Sequence, residues 1–179
     1  MRMAVLGVTL LIAAPWALHA QVTTLPGVTV EAERVRGAKM RIFEQRRAMG
    51  IGRFLSEADL AKDQSRQLAD VLRRLPGAMI ARDKGAAYIT SSRGTATIEN
   101  RPAFQLPDRR RLRDGLCPIG VMLDGVSVYR GTGEPPFDVN QVPTSHLLAI
   151  EFYAGPAQVP AELNSTGGTG CGLLVLWTK

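Results

Sequence analysis

The stretch that decides the fold class is SRQLADVLRRLPGAMI, residues 65–80. Four apolar side chains recur at the spacing of one helix face: Leu68, Val71, Leu72 and Leu75. Ser65 can cap the start of this helix, and Pro76-Gly77 ends it. The next residues, Ala78-Met79-Ile80, are β-prone. A helix that gives way at once to a strand predicts an α+β fold.

Further short elements extend this pattern in both directions. Ser56, followed by acidic Glu57 and Asp59, predicts an N-cap and a short helix to about residue 62. Single helical turns are expected at 145–148 and 160–163, and 100–116 and 131–140 are expected to be loops. Short strands separated by turn residues are predicted at 87–90, 97–99, 119–123, 126–129, 150–153 and 173–177. The predicted fold class is therefore α+β, with a small mixed β-sheet and short helices.

Asp124-Gly125 lies between two β-prone runs in VMLDGVSV, residues 121–128. Gly, and less readily Asp, tolerates the positive φ of a two-residue hairpin turn. A catalytic role for Asp124 would need a second carboxylate, a histidine or a metal nearby. Beyond the first twenty residues the chain has one histidine, His146, and no H-E-x-x-H or G-x-S-x-G motif. The sequence favours Asp124 and Gly125 as a structural turn.

Residues 1–20 have the pattern of a secretory signal peptide. Arg2 gives a positive start, an apolar run follows, and the stretch ends in Ala20. The alternative is a membrane anchor, which needs about 20 apolar residues, whereas Pro15 and His19 interrupt this run. We therefore expect an exported chain that begins at Gln21.

Cys117 and Cys171 are the two cysteines of the chain. In an oxidising compartment a disulfide between them is the expected state. The alternative is a metal site that uses both thiolates, His146 and a carboxylate. The cysteines are not in a C-x-x-C pair and one histidine is a poor supply of ligands, so no metal is expected.

The formal net charge of +6 is concentrated in 34–53 and in Arg109–Arg111 with Arg113. Nucleic acid is one partner for such a run, but no aromatic residues are interleaved for base stacking. A solvated loop, or one that faces anionic lipid headgroups, is favoured. Gly167–Gly172 leads into a strand rather than a helix, which indicates a tight backbone turn and not a phosphate-binding loop. No nucleic acid and no cofactor are expected.

Several ordered segments together resemble the plug domain of TonB-dependent outer-membrane receptors. They are LADVLRRLPGAMI (68–80), SSRG (91–94), VMLDGVSV (121–128), LLAIEFYAGPAQVPAELNSTGGTG (147–170) and the terminal LLVLWTK. In that family a helix ends in Pro-Gly, one strand ends in Arg-Gly and another carries Asp-Gly. A later strand runs into Gly-Pro and a Gly-Gly stretch. The resemblance covers 56–179 and implies a plug-like domain there.

Upstream, LPGVTVEAER (25–34) resembles the segment through which TonB, an energy-coupling protein, engages such receptors. An extended segment can add as a strand to the edge of a partner sheet. The resemblance implies a TonB-box-like strand at Val28, Thr29, Val30 and Glu31, within a flexible N-terminal segment over 21–55. The alternative is an ordinary β-prone leader.

In the family the last plug strand leads into a barrel of about 22 strands, each of roughly 9–11 residues. The residues of this chain are too few for that barrel. The resemblance therefore implies a non-enzymatic plug domain that gates or engages substrate in outer-membrane uptake. Its partners would be an outer-membrane β-barrel from another chain or a TonB-like protein, which supply its only membrane association. Its location would be the periplasm or the periplasmic side of the outer membrane.

Two other functions are considered. The first is a periplasmic small-molecule binding or adaptor domain that keeps the plug fold without transport. The second is an enzyme built around Asp124, Glu151 and His146. Alanine at each of these three positions, with no change in any phenotype, would exclude the enzyme.

Overall fold

Eight strands form two sheets in the part of the chain that the computed structural model describes, residues 26–93, 117–130, 136–167 and 170–179. The strands are β1 (Arg53–Leu55), β2 (Ala78–Asp83), β3 (Ala86–Ser91), β4 (Cys117–Pro118), β5 (Gly120–Leu123), β6 (Val126–Tyr129), β7 (Leu147–Tyr153) and β8 (Leu173–Thr178). The larger sheet has the order β1-β7-β8-β5-β6, and the smaller one the order β2-β3-β4. β5 and β8 are parallel and their other neighbours are antiparallel, so the larger sheet is mixed.

Four α-helices accompany the sheets in the described residues: α1 (Pro26–Ala48), α2 (Glu57–Leu60), α3 (Leu68–Leu72) and α4 (Ala161–Gly167). Short 3-10 turns lie at Ala61–Asp63, Val139–Gln141, Thr144–His146 and Pro156–Gln158. The predicted α+β class with a mixed sheet and short helices is confirmed. The predicted strand at 97–99 and loop at 100–116 lie outside the described residues.

Helix α3 packs its predicted apolar face into the core. Leu68, Val71, Leu72 and Leu75 are all buried. The helix is shorter than the pattern indicated, and its N-cap is Gln67 rather than Ser65. The Ser65 cap was a wrong prediction, because the 3-10 turn from α2 runs on to Asp63 and leaves Ser65 exposed in the connection.

Helix α2 starts with the predicted cap. The Ser56 Oγ accepts a hydrogen bond from the Asp59 backbone N at 3.4 Å, and the Ser56 backbone N donates to Asp59 Oδ2 at 3.0 Å. This reciprocal pair satisfies two amide groups that a helix start otherwise leaves unpaired.

Ser56→Ala is expected to lower the free energy of unfolding by about 1 kcal/mol, because it removes this cap. Urea unfolding followed by circular dichroism measures the change. Ser65→Ala is the matched control and should leave the midpoint unchanged. Equal losses for the two variants would contradict the assignment of the cap to Ser56.

The stretch 117–123, which includes the predicted 119–123 strand, contributes to both sheets. Residues 117–118 form β4 beside β3, whereas 120–123 form β5 beside β8. Ile119 lies between them, fully buried, and its backbone N donates to the Ile89 carbonyl. One short run of chain therefore fixes the two sheets relative to each other.

The larger sheet is covered on both faces. Alternate side chains of β8 point to opposite faces. Leu174 and Leu176 join the core cluster shared with α3 and the smaller sheet, and Leu173, Val175 and Trp177 join a second cluster with Phe43 of α1 and Leu163 of α4. Every residue of β7 is buried. Polar and apolar residues do not alternate along β7 and β8, because both faces of the larger sheet are covered by other elements.

The backbone prediction for Val28, Thr29, Val30 and Glu31 was wrong: the segment is the start of α1 rather than an extended strand. Pro26 is the first residue of the helix, where its missing N–H costs nothing. Beyond the valines the helix is rich in Ala, Glu, Arg and Lys, which are good helix formers. Phe43 then anchors its second half in the core. Within the predicted flexible segment 21–55, α1 and the paired strand β1 are ordered elements.

Candidate functional site

A carboxylate lies fully buried in the middle of β7. The side chain of Glu151 has no exposed surface, although its neighbours in LLAIEFY are apolar. The Trp177 Nε1 donates to Glu151 Oε1 at 2.6 Å, and the Tyr153 hydroxyl donates to Oε2 at 2.7 Å. Both donors belong to strands of the same sheet. The sheet by itself therefore fixes the orientation of this carboxylate.

Arg46 of α1 supplies the positive charge that a buried carboxylate requires. Its Nη1 lies 3.3 Å from both oxygens of Glu151, and its Nε lies 3.3 Å from Glu162 Oε1 on α4. The guanidinium carbon is 5.9 Å from the centre of the Trp177 ring, within the range of a cation–π contact. Arg46 thus ties α1 to two strands and to α4.

Burial and then the negative charge of Glu151 raise the pKa of Tyr153 well above its ordinary value. The phenol therefore keeps its proton at neutral pH and donates to Glu151. Its ring also contacts Phe54 edge-to-face, which in turn contacts Phe43. The polar cluster is sealed on that side by aromatic rings.

Asp124 and Gly125 form the predicted hairpin turn, with φ values of 50° and 84°. They join β5 and β6, which pair in antiparallel register. The Asp124 carboxylate also accepts hydrogen bonds from the Thr178 backbone N at 2.9 Å and from the Thr178 hydroxyl, and Lys39 Nζ lies 2.9 Å from Oδ1. The turn residue Asp124 thus links the end of β8, at Thr178, to Lys39 of α1; we call this pair of contacts the Asp124 clamp.

Burial raises the pKa of Asp124, but the hydrogen bonds from Thr178 and Lys39 outweigh burial and leave that pKa below its ordinary value. A folded-state pKa below the unfolded one stabilises the fold above the unfolded value, about 4. This stability is lost as the pH falls through the folded-state value. The carboxylate is thus an acid-sensitive contact.

Asp124→Asn should therefore cost most stability above about pH 5, with the difference from wild type shrinking below about pH 4. Asparagine tolerates the positive φ of the turn, so the turn itself is preserved. Urea titrations between pH 3 and 7 at about 0.1 M salt measure the difference. Thr178→Val removes the hydroxyl donor to Asp124, and it should reduce the pH dependence of the free energy of unfolding in the same range. An acid dependence identical in Asp124→Asn and wild type would contradict the clamp.

The three residues of the enzyme hypothesis are engaged in different contacts. Glu151 contacts Arg46 and the two aromatic donors, and Asp124 contacts Lys39 and Thr178. His146 is exposed at the end of a 3-10 turn, where its carbonyl accepts from the Lys179 backbone N. Within the described residues no group of three or more His, Cys, Asp or Glu side chains is arranged to hold a metal ion.

Cys117 and Cys171 form the predicted disulfide, with their Cα atoms 5.4 Å apart. Cys117 belongs to β4 of the smaller sheet, and Cys171 lies two residues before the start of β8 in the larger one. Both are buried. The adjacent Gly172 has a φ of 117°, and a Cβ there would collide with the Tyr153 carbonyl oxygen. This close approach explains why residue 172 is glycine.

The candidate partner segment lies on the first turns of α1. Val30 and Glu31 are exposed, and Glu31 pairs with Arg34 at 3.8 Å on the helix surface. A role for Val28–Glu31 in partner binding stays a prediction. Among the helices of the described residues, none is both long and apolar enough to cross a bilayer.

Sequence reasoning missed Arg46 and the partners of Glu151. The signal available for Glu151 was one carboxylate in the apolar run LLAIEFY. For Arg46 it was the three-residue spacing from Phe43, which places both side chains on one helix face.

Comparison with known proteins gives one family match. The model of the TonB-dependent receptor plug domain matches residues 45–169. Among solved structures, the siderophore receptor PirA from Acinetobacter baumannii is similar at 20% identity, with a TM-score of 0.44 over 71% of this chain. A mutant ferric enterobactin receptor, PfeA from Pseudomonas aeruginosa, in complex with enterobactin, has 20% identity and a TM-score of 0.41 over 70% of this chain. The chain spans 17% of the length of each receptor.

Proposed function

Because this chain belongs to the plug-domain family of TonB-dependent receptors, we propose that it gates, or engages substrate in, outer-membrane uptake without catalysing a reaction. The family match over 45–169 carries this proposal. The engagement of Asp124 and Glu151 in structural contacts agrees with a role that needs no acid–base chemistry. The compartment is then the periplasmic side of the outer membrane, reached through the signal at 1–20.

The partners proposed are an outer-membrane β-barrel from another chain and a TonB-like energy-coupling protein. The second would engage Val28–Glu31 as an added strand. That requires the first turns of α1 to unwind. The side chains from Val30 to Gly37 are all exposed, so unwinding there removes little packing from the core.

Site-specific photo-crosslinking in a Gram-negative host tests both contacts. A photoreactive residue at Val126, an exposed position on β6, should give an adduct with an outer-membrane barrel protein, identified by mass spectrometry and by its heat-dependent gel mobility. The same residue at Val30 should give an adduct with the energy-coupling protein. Gly27→Pro combined with Thr29→Pro should abolish the second adduct alone, because proline cannot donate to a strand ladder.

A chain that remains a monomer in the soluble periplasmic fraction, with neither adduct, would contradict the proposal. Ligand binding by that monomer would then support the periplasmic binding or adaptor domain.

A further inference from the structure

Helix α1 is held to the sheet by few buried side chains. Between Val30 and Ala48, only Phe43 and Arg46 are buried. Met40 packs half-buried against the same cluster as Phe43. Lys39 adds its half-buried contact to the end of β8, and Arg36 adds an exposed pair with Glu57. A helix of 23 residues therefore depends on anchors in its second half.

The group that receives Arg46 is built on the sheet, because its three residues belong to β7 and β8. Trp177 and Tyr153 hold the two oxygens of Glu151 from within β7 and β8. The indole ring also faces the guanidinium. A carboxylate that is fully buried, oriented by two donors and flanked by an aromatic ring has the chemistry of a guanidinium-binding site.

The geometry favours a guanidinium over an ammonium. Nη1 of Arg46 reaches Glu151 while Nε reaches Glu162, so one planar group bridges two carboxylates. Its central carbon lies 5.9 Å from the centre of the Trp177 ring at the same time. A lysine ammonium is a point charge and cannot make all of these contacts together.

The connection from α1 to β1 contains two glycines with positive φ, Gly50 at 71° and Gly52 at 107°. Around Gly50 there is open space, because a Cβ there would meet nothing within 4 Å. Met49 and Ile51 beside it are half exposed. The connection can therefore change direction at Gly50, whereas Gly52 is packed against the core: a Cβ there would lie 2.8 Å from the Tyr153 ring.

We propose that Glu151, Tyr153 and Trp177 form an arginine-binding site that Arg46 fills from within the chain, and that α1 is a strap which an arginine-bearing segment of another polypeptide can replace. The ligand class is a guanidinium carried on a polypeptide, with an apolar side chain one helical turn before it to take the place of Phe43. This inference does not depend on the proposed transport role.

The test uses the full chain with Trp16→Phe, so that Trp177 is its single tryptophan. Phe43→Ala and Arg46→Ala together release α1. The probe is a synthetic peptide with the sequence of residues 26–48, which contains no tryptophan. We expect saturable binding, seen as a change in Trp177 fluorescence, that is at least about tenfold tighter than to the chain with its own Phe43 and Arg46.

Peptides that differ only at residue 46 distinguish a guanidinium-binding site from non-specific attraction between the peptide and the chain. Peptides with Arg46→Ala and Arg46→Lys should each bind at least about tenfold more weakly than the Arg46 peptide. Glu151→Gln in the released chain should remove the difference between the three peptides. Equal affinity of all three for the Glu151 chain, or binding of none of them, would overturn the proposal.

If the released chain does not fold alone, the same peptides are added during refolding. Recovery of the folded state with the Arg46 peptide, and not with the Arg46→Ala peptide, supports the site. Recovery with both peptides or with neither overturns it.

Discussion

Arg46→Ala should lower the free energy of unfolding by about 3–5 kcal/mol, because it leaves the charge of Glu151 buried without its cation. Urea unfolding followed by circular dichroism measures the loss. Arg47→Ala is the matched control: it removes the neighbouring arginine, which is half exposed and pairs with Glu44 on the same helix. A surface change of that kind costs within about 0.5 kcal/mol.

Glu151→Gln in the Arg46→Ala background should recover part of the loss, because a neutral amide needs no counter-charge. In the wild-type background the same change should destabilise the protein, since it weakens the contact with Arg46. The sign of the Glu151→Gln effect thus depends on residue 46. The same sign in both backgrounds would refute the pairing as the cause.

Replacing both Cys117 and Cys171 by alanine should cost about 4 kcal/mol, since the bond closes a loop of 54 residues' separation and restricts the unfolded chain. The measurement is the urea midpoint of the oxidised wild type against that of the double variant. Reductant should lower the wild-type midpoint almost to that of the variant and leave the variant unchanged. A wild-type midpoint that reductant does not move would contradict a stabilising role for the bond.

The elements that local pattern determines were predictable. The stripe at Leu68, Val71 and Leu72 gave α3, and the positive-φ requirement at Asp124-Gly125 gave the β5–β6 hairpin. Ser56 followed by Asp59 gave a capping box. In each case the residues that cause the structure lie within a few positions of one another.

The features that the sequence did not predict, helix α1 and the contacts of Glu151 and Asp124, depend on residues that are far apart in the chain. Helix α1 has a weak apolar pattern because it buries only Phe43 and Arg46 of the side chains from Val30 onward, so its valine-rich start suggested a strand instead. Arg46 meets Glu151 from 105 positions away, and Asp124 meets Thr178 from 54. No local spacing encodes such pairs. The candidate site was therefore found as single residues and not as a cluster.

The position of β8 in the centre of the larger sheet has a consequence for the timing of folding. β7 pairs with β1 and β5 pairs with β6, but β8 alone joins these two pairs. Until residues 173–178 are made, the β5–β6 hairpin and the long-range β1–β7 pair have no strand between them. Long-range pairing of this kind is slow, and open strand edges attract other chains. The larger sheet can therefore close only after the residues of β8 have been synthesised.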